Sequence, residues 1–164
     1  MAIARPALLE LLADGNWHSG VSLGVALGLS RAAIWKQVRG LRRLGLTVNA
    51  ERGRGYRLDH SLNLLTATEI LSGLAPATRQ VLDSLEVLTV TASTNQCLTG
   101  RPAPPAGRLW AVVAEYQTGG RGRRGRRWLS PLGQGVCLSV SWAFEVAPRD
   151  LPSLSLVAGV AVSR

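Results

Sequence analysis

Gly28-Leu29-Ser30-Arg31-Ala32-Ala33-Ile34-Trp35-Lys36-Gln37-Val38-Arg39-Gly40-Leu41-Arg42-Arg43-Leu44 is the stretch from which the fold of the N-terminal part is read. Gly28 and Leu29 make a tight turn, and Ser30 offers its side-chain oxygen to the free N–H groups of a helix start. Ile34, Val38, Leu41 and Leu44 then recur in steps of four, three and three, which predicts a helix over 31–44 with one apolar stripe. Arg31, Trp35, Lys36, Arg39, Arg42 and Arg43 fall off that stripe, so the opposite side is basic.

Upstream, Ala7, Leu8, Leu11 and Leu12 have helical spacing and Asp14-Gly15-Asn16 stops them. Ser19 caps a second short helix carrying Val21, Leu23, Val25, Ala26 and Leu27. Downstream, Leu46-Thr47-Val48 alternates as a strand, Glu51-Arg52-Gly53-Arg54-Gly55 turns, and Tyr56-Arg57-Leu58 returns. Three helices and a basic hairpin are the layout of a winged helix-turn-helix. In such a domain the third helix enters the major groove, here with Arg31, Ala32, Trp35 and Lys36 nearest the bases and Arg39 a turn further on. Arg52 and Arg54 on the wing meet phosphate or the minor groove. A winged helix can also serve as a protein adaptor with solvated arginines. The basic character of helix and wing on one edge favours DNA. Trp35 is large for a base-reading position and can instead pack on the neighbouring helix.

The whole chain has 164 residues, 46% of them hydrophobic, which is enough for a core, and a formal charge of +9. That charge is almost all arginine, with Lys36 the single lysine. It favours phosphate-bearing partners, although an arginine bias can also belong to the source. Cys97 and Cys137 lie in apolar surroundings without zinc spacing and are expected to be reduced core residues, so no metal site is expected. Glu10 and Asp14 interrupt the first apolar stretch, which excludes a signal peptide. The apolar run 154–162 is too short to span a bilayer, so a cytoplasmic protein without membrane contact is expected.

Beyond the wing, Thr66-Ala67-Thr68-Glu69 has the form of a capping box opening a brief helix through Leu74. A strand is expected over 84–90, and Ser93-Thr94-Asn95 then starts a helix. Its three polar side chains serve as ordinary caps, or as ligand donors beside free backbone N–H groups. Residues 101–107 form a surface loop, 109–116 and 135–142 read as strands, and 150–164 as a helix with Pro152 in its first turn. That last helix runs to the chain end without a cap, so a cut rather than a natural terminus is expected.

Between those two strands lies Gln117-Thr118-Gly119-Gly120-Arg121-Gly122-Arg123-Arg124-Gly125-Arg126-Arg127-Trp128, with five arginines and four glycines in its last ten residues. Glycines let the backbone approach a ligand, and guanidinium groups pair bidentately with oxyanions. A phosphate, a carboxylate or a nucleic acid suits such a loop. Gly120-x-Gly122-x-x-Gly125 spells the dinucleotide fingerprint, but Ser130-Pro131 and Gly133 come next instead of a helix, and Glu145, the acidic candidate, lies after another strand. No Gly-Lys-Ser/Thr is present for a Walker loop.

Taken in order, three pieces resemble the bifunctional biotin–protein ligases that also repress the biotin operon. They are Ser30-Arg31-Ala32-Ala33-Ile34-Trp35-Lys36 with the wing Gly53-Arg54-Gly55-Tyr56, then Ser93-Thr94-Asn95-Gln96, then Gln117-x-x-Gly120-Arg121-Gly122-Arg123-x-Gly125-Arg126-x-Trp128. The resemblance implies an α+β protein: a winged helix-turn-helix over 1–62, then an incomplete α/β biotin–protein ligase catalytic domain with a mixed sheet over 63–164. It implies ATP-dependent formation of biotinyl-5′-AMP, with Mg2+ accompanying ATP, and transfer of biotin to a lysine of a carboxyl-carrier protein. Ser93, Thr94, Asn95 and Gln117 would bind biotin together with the backbone of Gly120 and Gly122. Arg121 and Arg123 would stabilise the carboxylate and the adenylate phosphate, and Trp128 would pack near adenine. Partners would be the biotin-acceptor protein, operator DNA and a second copy of the chain when biotinyl-adenylate is bound. The family's Lys-Trp-Pro-Asn-Asp segment is absent from these residues, so incomplete ligase activity is expected. A winged-helix regulator with a non-catalytic ligand-sensor domain is the alternative reading.

Overall fold

The computed structural model describes residues 6–126, 128, 130–144, 146 and 149–163, with the side chain of Arg123 excepted. Arg127, Glu145 and Arg164, which figure in the sequence reading, lie outside the described residues. Three helices open the fold: α1 (Ala7–Leu12), α2 (Gly20–Leu27) and α3 (Arg31–Arg43). Ser19 and Ser30 accept hydrogen bonds from the backbone N–H of Ser22 and Ala33, the caps expected from the sequence. Gly28 closes α2 in the left-handed region at φ 63°. Leu8, Leu9, Leu12, Leu23, Ile34, Val38 and Leu41 are buried and form the helical core. Within α2 only Leu23 is buried; Val21 and Val25 of the same helix are 62% and 80% exposed. A two-turn helix crossing two others offers them one inward stripe.

The wing is the antiparallel pair β1 (Val48–Glu51) and β2 (Gly55–Leu58), with Val48 opposite Leu58 and Glu51 opposite Gly55. Its first strand begins at Val48, later than the alternation from Leu46 suggests, although Leu46 and Val48 are both buried. Arg42 donates from Nε (3.2 Å) and Nη2 (2.6 Å) to the Val48 carbonyl and fixes where the strand leaves α3. His18 supplies a third, one-residue strand: its N–H donates to the Tyr56 carbonyl and Tyr56 N–H to the His18 carbonyl, each at 2.9 Å. Gly55, at φ 106°, lies so close to His18 that a Cβ there would stand 2.0 Å from the His18 oxygen.

The connector is packed on both sides. Asp59 N–H donates to Thr47 O at 3.0 Å and Leu62 N–H to Ala13 O at 2.8 Å. Leu65 N–H donates to the buried Glu115 carboxylate at 2.5 Å. Leu62 and Leu64 pack with the helical core, and Val90, Tyr116 and Leu132 from the second half join the same apolar cluster.

The second half begins with α4 (Ala67–Gly73), where Thr66 accepts from Glu69 N–H at 3.2 Å and donates its hydroxyl to the Glu69 carboxylate at 2.6 Å. This is the Thr-x-x-Glu start read from sequence, closed through side chains. A further helix, α5 (Pro76–Val81), was not expected; it is a single short turn with Pro76 in its first turn. Then come β3 (Leu82–Thr91), α6 (Thr94–Thr99) and β4 (Leu109–Gln117), followed by a tight turn at Arg123–Gly125 and β5 (Cys137–Trp142). The sheet has the order β3-β4-β5, with β3 and β4 parallel and β4 and β5 antiparallel, so the expected mixed sheet of an α+β fold is present. The expected helix over 150–164 opens as a 3₁₀ turn containing Pro152, then becomes α7 (Leu154–Ser163). Leu156, Val157, Val160 and Val162 of α7 are exposed, as are Leu138 and Val140 of β5. Among the described residues no helix is long and apolar enough to cross a membrane.

Candidate functional site

Because β3 and β4 run parallel, their carboxyl ends lie at the same edge of the sheet, the edge where open α/β sheets take ligands. Two backbone hydrogen bonds fasten the segments leaving them: Thr118 N–H to Thr91 O and Gly119 N–H to Ala92 O, both at 2.9 Å. The Ser93-Thr94-Asn95 turn and the start of the glycine–arginine loop are therefore held side by side. Gln117 Oε1 accepts from Thr94 N–H at 2.7 Å and from the Thr94 hydroxyl at 3.2 Å. Thr94 is 3% exposed, and its Oγ1 lies 2.8 Å from Ser139 Oγ. Since Thr94 spends its one hydroxyl proton on Gln117, the Ser139 hydroxyl donates to Thr94.

Sequence reading missed Ser139. Its signal was a polar residue within the alternating run Leu138-Ser139-Val140-Ser141. Ser93 accepts from Gln96 N–H at 3.4 Å, so ordinary capping accounts for its side chain as described. Among the described hydrogen bonds none joins Asn95 to Gln117. Asn95 lines a cleft of about 380 Å³ with Leu98, Arg101, Ser139 and Ser141, and this cleft does not include the glycine–arginine loop. Cys137 is free and buried, as expected. Burial pushes its thiol up; a hydrogen bond with Gln117 opposes that rise and the Glu115 charge adds to it. It is therefore a neutral neighbour of the site at physiological pH, not a nucleophile.

The loop itself is a small hairpin. Trp128 N–H donates to Gly120 O at 2.9 Å and Gly122 N–H to Arg126 O at 2.6 Å. Arg124 (φ 60°, ψ 32°) and Gly125 (φ 73°) take successive left-handed conformations, as primed turns require. An arginine in that region is uncommon and carries a backbone cost. Among the described residues no α-helix opens within the loop, only the 3₁₀-type turn at Arg123–Gly125, which agrees with setting the dinucleotide fingerprint aside. Gly120 is buried, and a Cβ on it would lie 3.1 Å from the Trp128 carbonyl oxygen. A side chain at residue 120 would therefore crowd the closed hairpin. Arg121, Arg124 and Arg126 are exposed, and Trp128 is 61% exposed. The role assigned to the Arg123 side chain falls outside the described residues.

At the other end of the molecule Arg31, Ala32, Trp35, Lys36, Arg39, Arg52 and Arg54 are all exposed. The guanidinium of Arg39 stacks 4.7 Å from the Trp35 ring, so Trp35 lies along its own helix rather than against a neighbour. A cleft of about 390 Å³ separates α2 and α3 from the wing and is lined by Ser19, Arg31, Ile34, Arg52 and Tyr56. Elsewhere arginines have structural duties. Arg42 binds the Val48 carbonyl, Arg101 pairs with Glu86, and Arg108 reaches Gln80 O at 2.7 Å and Asp83 at 3.4 Å. A hydrogen bond from Trp110 Nε1, then Arg108, holds the Asp83 carboxyl below its usual range. The net charge of the chain therefore overstates the charge presented to a partner.

Comparison with known proteins gives two family matches: a helix-turn-helix (HTH) domain over residues 5–57 and the biotin/lipoate A/B protein ligase family over residues 87–164. The chain is 44% identical over 159 residues to the bifunctional ligase/repressor BirA of Escherichia coli, covering 95% of this chain and 46% of that protein. It is 40% identical over 161 residues to the protein of that name from Bacillus subtilis, covering 96% and 49%. It is 38% identical over 108 residues to the biotin--[acetyl-CoA-carboxylase] ligase of Mycobacterium tuberculosis, covering 65% and 39%. The chain spans about half the length of the curated relatives it matches.

Proposed function

We propose that the protein is a biotin–protein ligase that also represses transcription, because residues 87–164 match the biotin/lipoate A/B protein ligase family and follow a match to an HTH domain. We divide it into a winged helix-turn-helix unit over 1–62 and a ligase unit over 63–164. The single observation that carries the ligase reading is the Thr94–Gln117–Ser139 hydrogen-bond set beside the glycine–arginine hairpin. It puts fixed polar groups next to exposed guanidiniums at one sheet edge. A ureido head group with a carboxylate tail needs both.

In the proposed reaction the biotin carboxylate attacks the α-phosphorus of ATP, and pyrophosphate leaves. A lysine of a carboxyl-carrier protein then attacks the acyl carbon of biotinyl-5′-AMP, and AMP leaves. Ser93, Thr94, Asn95 and Gln117 hold the head group. Arg121 and Arg123 stabilise charge that develops on the carboxylate and phosphate oxygens, as preorganised donors do at anionic centres. Gly120 and Gly122 let the hairpin backbone approach, Trp128 packs near the adenine, and the closed hairpin shields the mixed anhydride from water. Among the described residues no three His, Cys, Asp or Glu side chains gather as a metal site. Mg2+ would be carried by the ATP phosphates, the usual arrangement for this cation.

The exposed basic residues of α3 and the wing bind operator DNA, with Arg31, Ala32, Trp35, Lys36 and Arg39 in the major groove and Arg52 and Arg54 at the backbone. We place the protein in the cytoplasm, and infer that it dimerises when biotinyl-adenylate is bound. Pyrophosphate release on adding biotin and ATP, measured on a version that carries the family's lysine segment, tests the catalytic reading; biotin binding without release there would make the second half a sensor only. Arg123→Ala is expected to speed loss of biotinyl-adenylate by roughly tenfold or more, the cost of one charged hydrogen bond, with DNA affinity unchanged. A filter-retention assay for the adenylate checks it, and wild-type retention would remove Arg123 from the site.

A further inference from the structure

Trp17 stands directly before His18, whose two backbone hydrogen bonds to Tyr56 fix it against the wing. On its indole lie two guanidiniums, Arg54 at 4.5 Å and Arg57 at 5.0 Å from the ring centre. Neither Trp17 nor Arg57 belongs to the DNA-contacting set read from the sequence. Each arginine gains from the ring face, but together they set two like charges against one ring. Glu51 offsets part of that, its carboxylate lying 3.1 Å from Arg54 Nη1. Arg57 Nε is buried without a hydrogen-bond partner in the structure. Two guanidiniums held against one aromatic ring suit an incoming anion with several oxygens, met through their terminal N–H groups.

We propose that Trp17 is a positioning residue of the wing, whose indole holds Arg54 and Arg57 together as a seat for one backbone phosphate of duplex DNA. This rests on the DNA-binding reading above and adds Trp17 and Arg57 to it. On binding, the phosphate replaces Glu51 as the anionic partner of Arg54. Such an interaction carries no base information, so it raises affinity for any sequence and makes binding more salt-dependent.

The test is titration of the protein with a random-sequence DNA duplex across a salt series. In Trp17→Ala and in Arg57→Gln one phosphate is no longer neutralised, so the slope of log affinity against log salt is expected to become shallower by about 0.9. Trp17→Phe, which keeps an aromatic face, is expected to retain the wild-type slope. Trp17→Ala with wild-type slope overturns the proposal, including where affinity alone falls, because a purely structural role leaves the number of neutralised phosphates unchanged. If Trp17→Ala does not fold, Arg57→Gln decides by the same criterion. Absence of duplex binding by the unaltered protein at low salt is a separate failure, that of the DNA-binding reading itself.

Discussion

Gly55→Ala is expected to destabilise the protein by about 3 kcal/mol or more and to abolish DNA retention at low salt. The Cβ it introduces would stand 2.0 Å from the His18 carbonyl oxygen, 2.7 Å from Ser19 Cα and 2.8 Å from His18 C. All three are backbone atoms, so no rotamer change relieves the overlap. At φ 106° the residue also occupies a region open to glycine, and strained backbone of that kind costs about 1–3 kcal/mol. Relief requires the wing to move off His18, which breaks two backbone hydrogen bonds worth about 1 kcal/mol each. Urea unfolding followed by circular dichroism measures the destabilisation. A variant with the wild-type midpoint would mean that His18 and the wing are not held together as described.

Gln117→Ala is the change expected to affect the ligand most, weakening biotin binding by roughly ten- to a hundredfold, about 1.4–3 kcal/mol. Gln117 is the only residue seen to accept from both the backbone N–H and the hydroxyl of Thr94 among the described hydrogen bonds. With it gone, a buried hydroxyl turns to another partner and the polar set loses its orientation. Gln117→Glu keeps an acceptor for Thr94 and is expected to retain more affinity than the alanine variant. Calorimetric titration of biotin separates the outcomes. Unchanged affinity in Gln117→Ala excludes it from the site, and equal losses in both variants mean that orienting Thr94 is not its contribution.

Much of the fold was written in local pattern. The α3 stripe, the serine caps and the Thr66–Glu69 start each depend on residues within one or two turns of one another, and each appears where the spacing put it. The glycine–arginine loop was legible as lying outside the core because of its composition, and as lacking an α-helix because Pro131 and Gly133 lie directly beyond it. Interactions made across long separations had no such signal. His18 as a third wing strand, Ser139 beneath Thr94 and Glu115 on Leu65 depend on tertiary proximity that alternation alone does not encode. The packed side of α2 had no signal either: Gly-Val-Ser-Leu-Gly-Val-Ala-Leu is mostly apolar all round, and spacing does not single out Leu23 as its buried residue. Asn95 shows the converse, a motif residue whose neighbour in sequence reaches Gln117 while it lines a different cleft.

The leucines of the connector have a consequence for how the chain melts. Leu62 and Leu64 share one apolar cluster with Leu8 and Ile34 on one side and Val90 and Leu132 on the other. Neither half can therefore lose its packing without exposing surface that the other half relies on. Heating should then give one calorimetric peak, with the van't Hoff enthalpy matching the measured enthalpy, rather than one transition per sequence unit. A small molecule held at the sheet edge would raise that single midpoint by mass action. In doing so it would lower the fraction of molecules whose wing is unfolded, although nothing in it touches the wing.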